Sequence, residues 1–168
     1  TIIWRLVKLS AGVTAQFIIS SASWIFLMRI ISTFGSTALA GYTIAIRIVI
    51  FTLMPAWGFS NAAATMVGQN LGANQPERAE KAVWRTGMFN MIFMGTVMIV
   101  FFLFGDGIAE FFTKEKEVVD NASKCLSIFA MGYLFYAFGM VLVQSFNGAG
   151  DTKTPTIMNL FIFWMIQI

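Results

Sequence analysis

The length of its uncharged stretches limits this chain more than any other feature. Between Leu9 and Pro76 there is no acid, and Arg29 and Arg47 are the only ionised side chains. Residues 86–105, 125–150 and 154–168 carry no charge at all. A helix needs roughly 20 apolar residues to cross about 30 Å of hydrocarbon. Five segments meet or approach that demand, near 9–33, 38–66, 86–105, 122–145 and 155–168. The charged fraction agrees: 11% of residues are charged and mean hydropathy is +0.76, whereas soluble domains carry about a quarter charged residues. The expected fold is all-α, a multi-pass transmembrane bundle of about four complete spans and the start of a fifth, with membrane lipid as its first partner.

Several chemistries are closed to this chain. It has no His and a single cysteine, Cys125. An intramolecular disulfide is impossible, and no His- or Cys-built metal centre can be assembled within one copy. Ser-His-Asp and Cys-His nucleophilic sites fail for the same reason, so no enzyme activity is expected. The net charge of +3 is too small and too scattered for nucleic acid. The chain begins at Thr1 rather than Met, shows no signal-peptide pattern before its first span, and stops at Ile168 inside an apolar run. A piece of a longer protein is expected.

The links between spans set its orientation. "STFGST" (32–37) joins the first pair, with Gly35 suited to a tight turn. Residues 68–85 join the second and third spans; Asn74 or Gln75 is expected to be extended before Pro76, which can open a helix. Residues 105–124 join the third and fourth, and Ile108, Phe111 and Phe112 read as a short amphipathic piece at the interface. Alternating sides, one face receives Arg5, Lys8, Arg78, Lys81, Arg85 and Lys153. The other receives Lys114, Lys116 and Lys124 mixed with Asp106, Glu110, Glu115, Glu117 and Asp120. The face richer in cations is expected to be cytoplasmic. The sequon Asn121-Ala122-Ser123 then lies outside.

The stretch "FNGAGDTKTPT" (146–156) has the look of a phosphate loop. A Walker A motif ending at Lys153-Thr154 needs glycine at 147 and 152, where Asn147 and Thr152 stand. As a turn it reads residue by residue. Gly148 and Gly150 suit positive φ after a helix, Asp151 or Thr154 suits a cap, and Pro155 suits the first turn of the next helix.

"ATMVGQNLGANQPERAEKAV" (64–83) and "VQSFNGAGDTKTPTIMNLFIFW" (143–164) resemble the two signature turns of the multidrug and toxic compound extrusion (MATE) transporters, and "FGSTALAGYTIAIRI" (34–48) precedes them in the right order. The signature residues are Gly68, Gln69, Asn70, Gly72 and Pro76 in the first turn, and Asn147, Gly148, Gly150, Asp151 and Pro155 in the second. Asn147, where the amino half more often carries Arg, makes the chain similar to the carboxyl-terminal half. The resemblance implies a twelve-span fold of two six-helix lobes, of which residues 1–168 form part of the second, spans seven to ten and part of eleven. It implies an antiporter in the plasma (bacterial inner) membrane, expelling amphipathic cations in exchange for H⁺ or Na⁺ by alternating access. No cofactor or metal is implied, and the missing amino-terminal lobe becomes a partner. A flippase of lipid-linked saccharides with the same general fold is the alternative.

Ion coupling ordinarily needs an ionisable or strongly coordinating group inside the membrane. All eight acids read as loop residues, and where some Na⁺-coupled relatives carry acids the first and fourth spans offer Gln16, Ser20, Tyr133, Tyr136 and Gln144. The coupling ion is therefore expected to bind mainly outside this chain. Arg47 stands about 13 Å into the second span. It either lines the cleft or pairs with an acid of the other half, or else makes an interhelical bond to carbonyls or hydroxyls. Gln16, Trp24, Tyr136 and Gln144 are the other cleft candidates, and Asn61, Asn90 and Gln144 also suit interhelical hydrogen bonding. Pro55 marks a kink or hinge. Trp4 and Trp84 suit the cytoplasmic interface, while Phe17, Trp57 and Trp164 lie within spans.

Overall fold

The computed structural model describes residues 2–161, and for Ile2, Arg5, Leu6 and Lys8 the backbone alone. Six α-helices follow one another: α1 (Ile2–Ser32), α2 (Ser36–Gly72), α3 (Pro76–Glu110), α4 (Lys116–Met131), α5 (Tyr133–Gly148) and α6 (Lys153–Phe161). Three of them are long and apolar enough to cross a membrane, and α4 with α5, bent by 55° at the break between them, is a fourth candidate if the pair is counted as one span. The fifth expected span is described to Phe161 only; Trp164 and its neighbours lie outside the described residues.

The helices outrun the expected spans. The 37 residues of α2 and the 35 of α3 extend to roughly 55 and 52 Å at 1.5 Å per residue, well beyond the hydrocarbon, so both ends project. The linker at 68–85 therefore shrinks to a turn at 73–75, in which Asn74 takes a positive φ of 55°. Gly68, Gln69, Asn70 and Gly72 are the last turns of α2, and Pro76 opens α3. The expected interfacial piece is corrected in part: Ile108 belongs to the end of α3 and packs inward with the fully buried Ala109, while Phe111 and Phe112 stay exposed just beyond the helix. Of the eight acids, Glu115 and Asp151 stand between helices as expected, and the other six are helical. Glu77, Glu80, Asp106 and Glu110 sit on the terminal turns of α3, and Glu117 and Asp120 on the first turns of α4. Asp106 lies 13 residues beyond the midpoint of α3 at Phe93, about 20 Å along the axis, outside a half-core of about 15 Å.

The core joins α2, α3 and the broken span. Ala45, Val49, Leu53 and Ala56 meet Met94 and Phe101 on one side and Leu126, Ala130, Tyr133 and Ala137 on the other. In lipid there is little hydrophobic drive between helices, so close van der Waals approach through small residues does the work. Gly148 shows how close. It ends α5 in helical geometry rather than at the expected positive φ, which falls to Gly150 (86°) and Gly35 (103°) alone among the glycines. A methyl group at Gly148 would stand 2.7 Å from Ala64 Cα and closer still to its carbonyl oxygen. The two signature segments are thus packed backbone against backbone. The sequon Asn121 is packed too, its side chain facing Gly41 of α2.

A sharp bend falls at Gly132, between α4 and α5. Gly132 N–H donates to Phe129 C=O at 3.1 Å, and the regular ladder resumes with Tyr136 N–H to Gly132 C=O at 2.9 Å. Past the break the Tyr133 ring enters the core, 5.8 Å from Phe101, with its hydroxyl 3.4 Å from that of Thr52. Across from it Asn90, fully buried on α3, donates to Ala137 C=O at 2.8 Å. α2 continues as one helix through Pro55, which cannot supply a donor to the carbonyl of Phe51. α1 stands at the margin: 11% of its apolar window is buried, against 33% for α2.

Candidate functional site

An apolar span facing lipid should be apolar on its outer side, and α2 is not. Its buried face is built from Ala45, Val49, Ala56, Ser60, Ala63 and Val67. Opposite, exposed residues recur every three or four positions at Arg47, Phe51, Met54, Gly58, Asn61, Thr65 and Gln69, which places them in one lane along the helix. Arg47 and Asn61 lie seven residues to either side of the helix midpoint at Met54, each about 10 Å from it and so within the hydrocarbon zone. Arg47 makes no hydrogen bond or ion pair with another described residue. An unpaired Arg facing lipid at that depth costs at least ~2.5 kcal/mol on insertion scales. The lane is a surface that calls for water or protein.

Along its C-terminal half the lane meets a ladder of four amides. Gln144 Nε2 of α5 donates to Asn61 Oδ1 at 3.4 Å. Asn147 Nδ2, one turn on, donates to Gln144 Oε1 at 3.1 Å and to Gln16 Oε1 at 3.4 Å. Gln16 Nε2 of α1 donates back to Asn147 Oδ1 at 3.1 Å and to Thr152 C=O at 3.3 Å. Gln16 is buried, and with the close approach of Gly12 to Thr152 it ties the marginal α1 to α5 and the second signature turn. The turn itself is capped by Asp151, whose carboxylate accepts the N–H groups of Lys153 and Thr154 and the Thr154 hydroxyl. Those bonds, the hydroxyl first, hold its carboxyl below the ordinary carboxylate range. Pro155 is buried in the first turn of α6.

The structure therefore brings together Gln16, Gln144 and Asn147, and keeps the remaining candidates apart. Arg47 is on the lane but toward its N-terminal end. Trp24 is half-buried on α1, two turns beyond Gln16, and Tyr136 is exposed in the first turn of α5. Pro55 is exposed beside the lane. In the first signature turn, Asn70 Nδ2 donates to Met66 C=O and Gln69 C=O accepts from Ala73 N–H, so these polar groups close the end of α2. Asn61 was legible only as interhelical glue; that its amide also faces outward follows from helix rotation. Its spacing of fourteen from Arg47, four helical turns, is the signal that finds it.

The MatE family model matches residues 13–168. Among curated proteins the chain is similar to the probable multidrug resistance protein YoeA of Bacillus subtilis, 25% identical over 97% of this chain and 35% of the relative. It is similar to the probable multidrug resistance protein NorM of Thermotoga maritima, 26% identical over 91% of this chain and 33% of the relative. It also matches the multidrug and toxin extrusion protein 1 of Homo sapiens, 24% identical over 80% of this chain and 24% of the relative. The chain spans about a third or less of the length of these relatives.

Proposed function

The chain belongs to the MatE family, and from that premise we propose that the protein it forms part of is a secondary antiporter, not an enzyme, that expels amphipathic organic cations in exchange for H⁺ or Na⁺. The chain itself supplies part of the carboxyl-terminal lobe, in the bacterial inner membrane. The observation that carries this reading is the lane on α2: Arg47 and Asn61 exposed at hydrocarbon depth on an otherwise apolar helix. Such a face suits one wall of a water-filled cleft, with the other wall supplied by the amino-terminal lobe. Relatives named for multidrug resistance and for multidrug and toxin extrusion support the cargo class.

The acids described here sit on helix ends or in turns, so the ion-binding carboxylate of the exchange is placed in the amino-terminal lobe. This chain then contributes the cleft wall and the bent span α4–α5, whose break at Gly132 lets the two segments take different directions at mid-membrane. Ethidium retention in cells expressing the complete gene tests the proposal. Extrusion that stops when the ion gradient is collapsed supports it, and retention equal to that of empty cells sinks it. Loss of surface saccharide on deletion of the gene would instead point to the flippase. Efflux that stays ion-coupled after every amino-half membrane acid is neutralised would overturn the placement of the carboxylate.

A further inference from the structure

The amide ladder has a direction, set at one end by a group that cannot turn round. Thr152 C=O is a backbone carbonyl and only accepts, so the nitrogen of Gln16 must face it. The oxygen of Gln16 then takes the nitrogen of Asn147, and that same nitrogen takes the oxygen of Gln144. The nitrogen of Gln144 is thereby turned to Asn61, which must present its oxygen. Rotating any one of these amides would set N–H against N–H. Asn61 is the last in the row, and its NH₂ group is left facing the lane with no bond to a described residue.

At the far end of the lane Arg47 offers only donors. The Thr65 hydroxyl gives its proton to Asn61 C=O at 3.0 Å and so leaves only lone pairs toward the lane, and the Gln69 amide carries both a donor and an acceptor. No carboxylate lies on the lane. From this we propose that Asn61 is a cargo-contacting, specificity-determining donor, aimed by the amide ladder, and that this wall selects amphiphiles carrying a hydrogen-bond-accepting oxygen such as a carbonyl, ether or carboxylate. The cationic centre of such a molecule is repelled by Arg47 and turns to the opposite wall. The inference rests on the antiporter reading only in taking the lane as a wall of the cleft.

The test compares two cations on purified full-length protein: tetraphenylphosphonium, which has no acceptor, and an ethyl-ester rhodamine, which carries an ester carbonyl. Equilibrium binding is measured without any gradient. Asn61→Leu and Gln144→Leu both delete the Asn61–Gln144 bond and share its structural consequences, but only the first removes the outward donor. Asn61→Leu is expected to weaken rhodamine binding about 5-fold and leave tetraphenylphosphonium unchanged, the size of one hydrogen bond. Gln144→Leu keeps the Asn61 donor but removes the partner that aims it, and is expected to lower the rhodamine preference to an intermediate value, less than Asn61→Leu does. Asn61→Ser repeats the deletion with a smaller side chain, because its hydroxyl turns back to the carbonyl four residues earlier. Equal shifts for both cations in Asn61→Leu, no shift for either, or a wild type without preference would each overturn the proposal. If the preference is intact but no gradient drives extrusion, the antiporter reading falls and this one stands.

Discussion

Gly148→Ala adds one methyl group at the contact between the two signature segments, and its cost follows from the geometry. The new Cβ would lie 2.7 Å from Ala64 Cα and 2.8 Å from its carbonyl carbon, where carbon atoms rest at about 3.5–4.0 Å. All the atoms it meets are backbone, so no rotamer change relieves the overlap, and α2 and α5 must part by about 1 Å. Overpacking of this kind costs about 1–3 kcal/mol. The Asn61–Gln144 bond, one turn away and already 3.4 Å long, would then break at a further ~0.6 kcal/mol, the membrane average. The expected loss is about 2–4 kcal/mol. Gly58→Ala is the matched control. It lies on the exposed face of α2, the helix that Gly148 packs against, with nothing within 4 Å of its added methyl, and should gain up to ~1 kcal/mol of helix propensity. Unfolding of the purified full-length protein in mixed micelles with rising SDS reads both. The reasoning is refuted if Gly148→Ala is as stable as wild type, or if Gly58→Ala loses as much.

Three further substitutions probe the rest of the bundle. Asn90→Ala should lower stability by about 1–2 kcal/mol, because the fully buried side chain gives up its bond to Ala137 C=O and leaves a small void; SDS unfolding measures it, and a neutral result would remove Asn90 from the support of the bent span. A double-mutant cycle on Gln16→Leu and Asn147→Leu should give a coupling of about 0.5–1.7 kcal/mol, with additivity the refuting outcome. The hydrogen bonds to Asp151 make the folded group the stronger acid, so its cap is complete above the ordinary carboxylate range and is lost as pH falls through the lowered folded value. Exchange protection of the Lys153 and Thr154 amides should therefore be flat through neutral and mildly acidic pH and fall only in stronger acid; Asp151→Asn should abolish that fall, and a step near neutrality would contradict the assignment.

Much of the architecture was legible from the chain alone. Uncharged runs long enough to cross a bilayer require backbone hydrogen bonds to close within each segment, so helices, their order and their antiparallel succession followed without tertiary information. The turn chemistry of Gly35, Pro76, Gly150, Asp151 and Pro155 was equally local, since a positive φ, a fixed φ or a capping carboxylate acts within a few residues. The signature segments could be recognised as well, though not the reason for Gly148, which depends on a second helix passing within contact distance.

Other features required the third dimension. α4 and α5 bend at Gly132 while α2 runs on through Pro55, and past the bend Tyr133 and Ala137 take partners from across the bundle, Thr52 and Asn90. Gln16, Gln144, Asn147 and Asn61 are scattered over more than a hundred residues, and only the packing of α1, α2 and α5 draws them into one row. The local sequence determined what could be a membrane helix and how each one begins and ends, since those are short-range matters of hydration and backbone geometry. Which face of each helix is covered, and so which way the Asn61 amide points, was decided by tertiary packing, because an amide takes its direction from the partners around it.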